Sequence, residues 1–381
     1  AADPMGVPGA DQRGFARSAG GAPDIGAYER QPFVVTSTSA TGPGSLAQAL
    51  AQNHDGSPII FAPALAGQTI LFGGKAPNVA GTQVVGGRLV IGSNVTIDGS
   101  AAPGLVLSGG NAVGVLEIAA GANVTLKALT VEYGSAVTGG GILVDAGATL
   151  TLNGDTVSYN TATGNGGGVE NLGTLNIVQS TFANNTAGGN GGGIDTTGTA
   201  TLESATIGHN TANIGGGLSM EGGTVTAHNS IIGDNTAPTD PDLNATLTSL
   251  GYNMIGNAQG VTGIVATDLV GADPQLGPLA NNGGPTQTLA PAATSAAIDG
   301  GDPNESLTTD QRGLKRDAGL AADVGALESQ YAPPVASPGG GTTGYMIRAG
   351  QSLTLNAGAS FDPEGLPLTY TWDINGDGKF G

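Results

Sequence analysis

The sequence predicts an all-β protein in which the chain coils into a parallel β-helix, adding one strand per turn to each of several sheets. Four segments that end alike, TVSYNTA, TFANNTA, TIGHNTA and IIGDNTA, recur at a constant interval within 121–237. Glycine-rich stretches such as GNGGGVENLGTLNI separate them, and apolar and polar residues alternate in the short runs between the glycines. A fixed period of this kind indicates a solenoid, and period-two alternation indicates strands with one buried face.

Each 25-residue repeat contains three short runs with inward-facing apolar positions, which predicts three strands per coil. In the coil that contains Asn185 these positions are Leu175 and Ile177, then Phe182, then Ile194. Glycine triplets lie between the second and third runs, where residues without Cβ can adopt the positive φ that a tight corner requires. Strands of successive coils would pair about 4.8 Å apart, so equivalent side chains would stack in columns.

One column of the repeat is asparagine, and it predicts a ladder of stacked amides. Its members occupy the same position in four successive repeats: Asn160, Asn185, Asn210 and Asn235. An amide carries both donors and an acceptor, so stacked asparagines can bond the coil above and the coil below, as they do in cross-β structures. We expect this column to have a structural role rather than to bind a ligand.

Less regular coils precede the repeat, and a short helix precedes those coils. The segments 86–100, 103–110 and 114–126 show strand-like alternation. The segment GPGSLAQALAQN at 42–53 has a helical pattern with Ser45 at the N-cap. We expect this helix to cover the open apolar end of the solenoid, which would otherwise expose strand edges.

The composition excludes several classes of function. With 30 acidic and 11 basic residues the chain has a formal net charge of −19, which argues against binding to nucleic acid or to anionic membrane surfaces. The chain has no cysteine, so disulfides, thiolate metal sites and thiol catalysis are excluded. It has no apolar run of about 18 residues, and we expect no membrane insertion. Because the sequence begins at Ala1 without a methionine, we expect it to be a segment of a longer product.

Two parts of the sequence resemble known bacterial families. The glycine triplets that alternate with TFANN-like segments are similar to the repeats of polymorphic outer-membrane proteins. LANNGGPTQTLAPAATSAAIDGGDP, followed by DQRGLKRDAGLAADVGALE, resembles the carboxy-terminal part of the choice-of-anchor Q domain, and VVTSTSATGPGSLAQALAQN resembles the amino-terminal cap of the same proteins. A basic residue is usual there after Ser-Leu, where this chain has Ala47. The resemblance implies a right-handed parallel β-helix that a bacterium secretes to its surface or into the medium.

An internal duplication sets the predicted domain boundaries. The stretch DQRGFARSAGGAPDIGAYE at 11–29 reappears as DQRGLKRDAGLAADVGALE at 310–328, with twelve of nineteen positions identical. We therefore interpret 1–30 as the closing module of a preceding repeat unit. The other domains are predicted in chain order: the β-helix with its N-terminal cap at 31–270, a choice-of-anchor-Q-like closing module at 271–330, a proline- and glycine-rich linker at 331–350, and a truncated sandwich at 351–381.

The last segment, 351–381, resembles the start of a PKD-like domain, so the full predicted fold is a capped β-helix followed by a partial immunoglobulin-like β-sandwich. A complete sandwich of this kind needs about 100 residues, far more than remain. Within the segment, DINGDGKF places Asp373, Asn375 and Asp377 at the first, third and fifth positions of a calcium loop. The acid expected at the last position would fall beyond Gly381, so the loop is incomplete.

The closing module carries a cluster of charged residues that can be interpreted in two ways. Its members are Asp310, Arg312, Arg316, Asp323 and Glu328. Two arginines among three acids predict an ion-pair cluster that closes the last coil, because bidentate arginine–carboxylate pairs fix geometry well. A catalytic or metal cluster is the alternative. Asp299 and Asp302 in AIDGGDP are a further calcium candidate, and calcium is the only cofactor that these patterns suggest.

Parallel β-helices also host polysaccharide lyases and glycosidases, and glycosidases need paired carboxylates about 5 to 9.5 Å apart. Within 111–237, the repeat stacks only one pair of acids, Glu170 and Asp195, which occupy the same position in consecutive repeats. The three histidines, His54, His209 and His228, share no spacing typical of a metal site. We expect the acidic pair to lie on a solvated face or to be a weak cation site.

These observations favour a structural or adhesive segment of a large secreted repeat protein over an enzyme. The expected partners are neighbouring repeat units or identical chains arranged head to tail, which would assemble fibres, and surface polysaccharide is a further candidate. The alternatives that stay open are a polysaccharide lyase or hydrolase and a carbohydrate-binding module. The module has less support, because one tryptophan and 4 % aromatic residues offer few platforms for sugar stacking.

Overall fold

The computed structural model describes residues 31–330 except 55, 74–83, 86, 258, 260 and 317–320, together with 337, 356–360 and 368–372. Its strands form a parallel β-helix of about 8 turns with almost no helix, which confirms the predicted solenoid. The predicted module at 1–30, most of the 331–350 linker and the calcium-loop residues Asp373, Asn375 and Asp377 lie outside the described residues. The described parts of 351–381 contain no strand, so the partial sandwich stays a prediction.

Three long sheets run along the solenoid, and each receives one strand per coil. Sheet 1 contains Phe33–Val35, Ile59–Phe61, Val95–Asp98, Asn123–Lys127, Thr149–Asn153, Thr174–Val178, Thr199–Glu203, Thr224–His228 and Leu247–Gly251. Sheet 2 contains Thr69–Leu71, Val106–Ser108, Thr130–Glu132, Thr156–Ser158, Thr181–Ala183, Thr206–Gly208, Ile231–Gly233, Met254–Ile255 and Leu269–Val270. Sheet 3 contains Val84–Val85, Arg88–Ile91, Leu116–Ile118, Ile142–Val144, Val169–Asn171, Ile194–Thr196, Leu218–Met220 and Leu243–Asn244.

A short fourth sheet contains Ser135–Ala136, Thr161–Ala162 and Thr186–Ala187. Within one coil the chain passes from sheet 1 to sheet 2, then through this short sheet to sheet 3. Neighbouring strands are parallel throughout the described sheets, except for Val84–Val85, which pairs antiparallel with Arg88–Ile91.

The pairing register repeats the period of the sequence. Leu150 lies opposite Leu175, which lies opposite Ala200, which in turn lies opposite Val225, so each coil takes up one sequence repeat. These inward side chains are fully buried in one continuous hydrophobic core that runs the length of the solenoid. Burial of a leucine, valine or isoleucine contributes about 1.5 to 3 kcal/mol, so each coil adds its own share of stability.

A helix at Leu46–Gln52 covers the first coils, as the sequence predicts. Leu46 and Leu50 are buried in the common core. The main-chain N–H of Gln48 donates to Ser45 Oγ over 3.1 Å, and Gln48 Oε1 accepts from Gly44 N over 2.7 Å. These two bonds satisfy donors that a helix start leaves unpaired. A short 3₁₀ turn at Pro63–Leu65 follows the second strand of sheet 1.

A left-handed residue follows four successive strands of sheet 2, Thr156–Ser158, Thr181–Ala183, Thr206–Gly208 and Ile231–Gly233, and turns the chain toward sheet 3. Tyr159, Asn184, His209 and Asp234 have φ between 54° and 59°. This conformation interrupts the alternation of the strand, so the next residue points inward instead of outward. The residue that follows is in each case an asparagine of the ladder column, which explains why this polar side chain is buried.

The closing module at 271–330 lies along the outer face of sheet 2. Thr286 Oγ1 donates to Gly154 O over 2.9 Å, and Thr181 Oγ1 donates to Gln311 Oε1 over 2.6 Å. Further along the solenoid, the imidazole of His209 contacts Gly277 O. The expectation that the module's charged cluster closes the last coil is therefore wrong, because the module covers the flank of the solenoid.

Small residues on sheet 2 allow this close approach. A Cβ added to Gly208 would lie 2.5 Å from Leu276 Cδ1, and one added to Gly233 would lie 2.5 Å from Pro274 Cγ. Side chains at these two positions would hold the module away from the sheet. The glycines at the end of these strands therefore serve packing rather than turning.

Candidate functional site

The four column asparagines lie in successive coils and bond to one another. Asn160 Nδ2 donates to Asn185 Oδ1 over 3.0 Å, and the same contact joins Asn185 to Asn210 and Asn210 to Asn235. Each accepting oxygen also receives the main-chain N–H of the preceding asparagine. Each Nδ2 also donates to a main-chain carbonyl of the preceding coil. These buried amides use their hydrogen-bonding capacity within the solenoid and leave no free group for a ligand.

The acidic pair lies on the outward face of sheet 3, where Glu170 and Asp195 are direct partners on neighbouring parallel strands. Both residues are nevertheless buried, with 6 % and 0 % of their surface exposed. The expectation of a solvated face is therefore wrong. The pair lies beneath other parts of the chain rather than at the protein surface.

Glycine loops cover the pair. Gly166 has φ 65° and packs against the backbone of Glu170, and Gly191 has φ 64° and packs against that of Asp195. A Cβ on Gly191 would lie 2.5 Å from Asp195 N, so only glycine permits the loop to fold back this closely. The loops that contain the glycine triplets of the repeat thus cover the outward-facing residues of these sheet 3 strands and form a roof over them.

Burial changes the ionisation of both carboxyl groups. It raises the pKa of Glu170 to about 8, assisted by the charges of Asp195 and Glu221 and opposed by Arg88. It raises the pKa of Asp195 to about 6, assisted by the charge of Glu221 and opposed by hydrogen bonding from the side chains of Ser219 and Asn165. Desolvation dominates in both cases because the charged form loses water that no full set of hydrogen bonds replaces.

Arg88 is the basic side chain whose charge acts on this pair, and loop carbonyls hold it. Its guanidinium donates to Thr138 O and, over 2.7 Å, to Gly139 O. Burial lowers the pKa of Arg88, against the opposing charges of Glu117, Asp145 and Glu170. No ion pair joins Arg88 to Glu170 among the described residues.

Among the described residues, two buried carboxylate oxygens of this face have no hydrogen-bond partner, Glu170 Oε2 and Asp195 Oδ1, and the Ser219 hydroxyl lies beside Asp195. Ser219 is the residue of the next coil in register with Asp195, and it is also fully buried. At the rim, Asn165 Nδ2 approaches Asp195 Oδ2 at 3.4 Å, and the exposed Glu221 accepts from Asn190. Since buried polar atoms are rarely left unpaired, this row is a candidate ligand site.

The charged cluster of the closing module is also brought together. Arg312 Nη2 lies 2.7 Å from Asp310 Oδ2, which also accepts from the Glu328 N–H. The Arg316 guanidinium is buried and donates to the main-chain carbonyls of Asp323 and Gly325. Glu328 Oε2 accepts from the Asp323 N–H over 2.8 Å. These contacts fix loops of the module to one another.

A second cluster, which the sequence does not reveal, joins the solenoid to the closing module. His228 Nδ1 lies 2.7 Å from Glu203 Oε1, and its Nε2 lies 3.1 Å from Asp302 Oδ2. Glu203, His228 and Glu305 each offer a ligand atom within 4.8 Å of the others. Burial disfavours the charged imidazole, but hydrogen bonds with Glu203 and Asp302 and the charge of Glu305 outweigh it and raise the pKa of His228.

One half of this cluster has a sequence signal and the other has none. Glu203 and His228 are separated by one repeat period and lie opposite each other in sheet 1, so the period alone could have paired them. Asp302 and Glu305 come from the closing module, whose position on the flank has no counterpart in the repeat. Asp242, which accepts the last amide of the asparagine ladder, also has no counterpart at this position in the repeat.

Sugar-binding features are sparse among the described residues. Tyr133 and Tyr159 stack on each other with ring centroids 5.4 Å apart and an angle of 16° between the rings. One ring face of each is taken by the other, which leaves a small aromatic platform. A groove of about 450 Å³ lies between sheet 2 and the closing module, with Glu132, Asn281 and Gln287 in its walls.

In the described part of the chain, no helix is both long enough and apolar enough to cross a membrane. Neither protein-family models nor curated protein sequences show a match to the chain.

Proposed function

We propose that this protein is a rigid structural segment of a bacterial cell-surface or secreted repeat protein, which holds the regions on either side of it at a fixed separation. The asparagine ladder carries the proposal. Its amides join four successive coils through fully used hydrogen bonds, and a continuous apolar core accompanies them. A stack held this way resists bending, because any shear between coils breaks buried hydrogen bonds.

The helix and the closing module support the same function. The helix covers one end of the core, and the module adds contacts that span several coils of sheet 2. The polar side chains of the ladder and of the module interface thus bond within the protein. Its stacked acidic pair is buried under glycine loops instead of lying in an open groove.

Neighbouring repeat units or identical chains, arranged head to tail, are the partners that we propose. The terminal coil presents exposed apolar side chains from Leu250, Ile264 and Val265, which is the expected character of a contact surface. Assembly of this kind would extend the rod into a fibre. An additional contact with surface polysaccharide would rest on the groove beside Glu132.

The rigidity can be tested by spin-label distances. Val34 and Leu250 are exposed residues of the first and ninth strands of sheet 1, and the chain has no native cysteine to compete for labels. With strands about 4.8 Å apart, V34C and L250C labels should give one narrow distance distribution centred at about 40 Å. A broad distribution would contradict a rigid spacer. A mixture of the two singly labelled chains should show a short intermolecular distance where chains associate head to tail.

A polysaccharide lyase or hydrolase is the second candidate, and the raised pKa values of Glu170 and Asp195 favour it. A carboxyl group whose pKa lies near neutrality can act as a general acid. Release of reducing ends or unsaturated products should be assayed on acidic and neutral polysaccharides. A structural segment gives no turnover. Turnover that E170Q and D195N both abolish would replace the structural proposal with the enzymatic one.

A further inference from the structure

Glu170, Asp195 and Ser219 form a row across three neighbouring strands of sheet 3. Glu170 pairs in register with Asp195, and Asp195 with Ser219. All three residues are at least nine-tenths buried, and among the described residues Glu170 Oε2 and Asp195 Oδ1 have no hydrogen-bond partner. The row is therefore polar and buried, and two of its carboxylate oxygens are unpaired.

The charge of Arg88 acts on Glu170, but Arg88 forms no ion pair with this row among the described residues. Arg88 bonds to the carbonyls of Thr138 and Gly139 instead of to the carboxylates. Neither Glu170 nor Asp195 forms an ion pair with another described residue. Two buried carboxyl groups without a counter-ion are costly, and a bound cation would remove that cost.

The kind of ligand atom and its burial select the ion. The row offers only oxygen, without nitrogen or sulfur, which suits Ca²⁺ or Mg²⁺ rather than Zn²⁺. Mg²⁺ gives up its water molecules reluctantly and usually keeps several of them, so a buried site favours Ca²⁺ over Mg²⁺.

We propose that a calcium ion binds between Glu170 and Asp195, with Ser219 as a further ligand. Glu221 is exposed at the edge of this row beside Asn190 and would attract the ion toward it. The bound ion would tie three neighbouring coils together through the outward face of sheet 3. With two carboxylates, we expect an affinity in the range of extracellular calcium modules, with Kd about 10⁻⁴ to 10⁻³ M.

The test is calorimetric titration of the full chain with CaCl₂ after treatment with EDTA. The tail substitutions D373N and D377N are included in every sample to silence the incomplete calcium loop. We expect one calcium per chain, at least about tenfold weaker binding in E170Q and in D195N, and weaker binding of Mg²⁺ than of Ca²⁺. Calcium should also raise the melting temperature of the parent chain and leave that of D195N unchanged.

Three outcomes would overturn the proposal. The first is no calcium binding up to about 10 mM, which would leave a proton or water as the occupant. The second is unchanged binding in E170Q and D195N. The third is loss of binding in E203Q instead, which would place the ion at the cluster around His228. Far-UV circular dichroism in EDTA checks that the variants fold, and S219A provides a milder change that removes one ligand only.

Discussion

The side-chain amide of Asn235 donates to Asp242 Oδ1 over 2.9 Å, and the main-chain N–H of Asn235 donates to the same oxygen. Asp242 thus takes the place that a fifth asparagine would have in the ladder. Its second oxygen accepts from the Asn257 N–H over 2.6 Å. Because a carboxylate only accepts, the column of amides ends here.

Asp242→Ala should therefore destabilise the protein. The substitution leaves three N–H donors without an acceptor, and we expect the free energy of unfolding to fall by about 3 kcal/mol. Asp242→Asn keeps one acceptor oxygen and removes a buried charge, so its loss should be at most about 1 kcal/mol. Urea unfolding followed by circular dichroism at neutral pH measures both. Equal losses would mean that the acceptor oxygen is not what Asp242 contributes.

Asn185→Ala should interrupt the ladder in its middle. The change removes the acceptor for Asn160 and leaves the Asn210 oxygen with one donor fewer, in a region without access to water. We expect a loss of about 3 kcal/mol or more in urea unfolding. The exposed neighbour Thr186 is the control, since Thr186→Ala should change stability by less than about 0.5 kcal/mol. A similar small effect at Asn185 would show that the ladder is not stabilising.

Gly191→Ala should disturb the loop that covers Asp195. Gly191 has φ 64°, and an added Cβ would also meet the backbone of Ile194 and Asp195. We expect a loss of at least about 3 kcal/mol, from left-handed strain together with the steric clash. Gly147→Ala separates the two causes, because Gly147 has φ 80° but open space where a Cβ would be added. Its loss should be only about 1 kcal/mol, and thermal unfolding of both variants tests the difference.

Attachment of the closing module should weaken as pH rises. The folded pKa of His228 is raised above its ordinary value of 6.5, so its contribution is fully present below that value and is lost as pH rises through the folded pKa. Glu203, Asp302 and Glu305 face the imidazole and provide the attraction. We expect a loss of about 1 kcal/mol, since the cluster is partly exposed.

Hydrogen exchange of residues 271–316 measured between pH 5 and pH 9, corrected for intrinsic exchange rates, reports this attachment. Protection should decrease across the titration of His228 in the parent chain. His228→Gln keeps polar contacts but cannot become charged, so its protection should not change with pH in this range. A parallel change in both chains would exclude His228 as the titrating group.

The elements of the solenoid could be predicted because their information is local or periodic. Leu175, Phe182 and Ile194 identify three strands of one coil by their positions alone. The repeat period fixes the partners of Leu175 and Phe182, whereas Ile194 pairs with Leu218, one residue short of the period. The asparagine column follows from the same period. The cap helix is encoded in Ser45 and the apolar positions just after it.

The burial of Glu170 and Asp195 could not be predicted in the same way. Alternation within a strand places both side chains outward, and outward usually means solvated. The loops that cover them depend on the backbone path of Gly166 and Gly191 relative to the strand, which is a property of three dimensions. The glycines were visible in the sequence, but their role as a roof was not.

The sequence by itself determined that this chain coils and, within the regular repeat, how many residues most coils take and which side chains of sheets 1 and 2 stack, because neighbours there are separated by one interval. Only the tertiary structure decided where the closing module lies. Gln311 reaches Thr181 across 130 residues, and His228 reaches Asp302 across 74. Such contacts follow no period and depend on the shape of two finished surfaces, the small-residue face of sheet 2 and the loops that pack onto it.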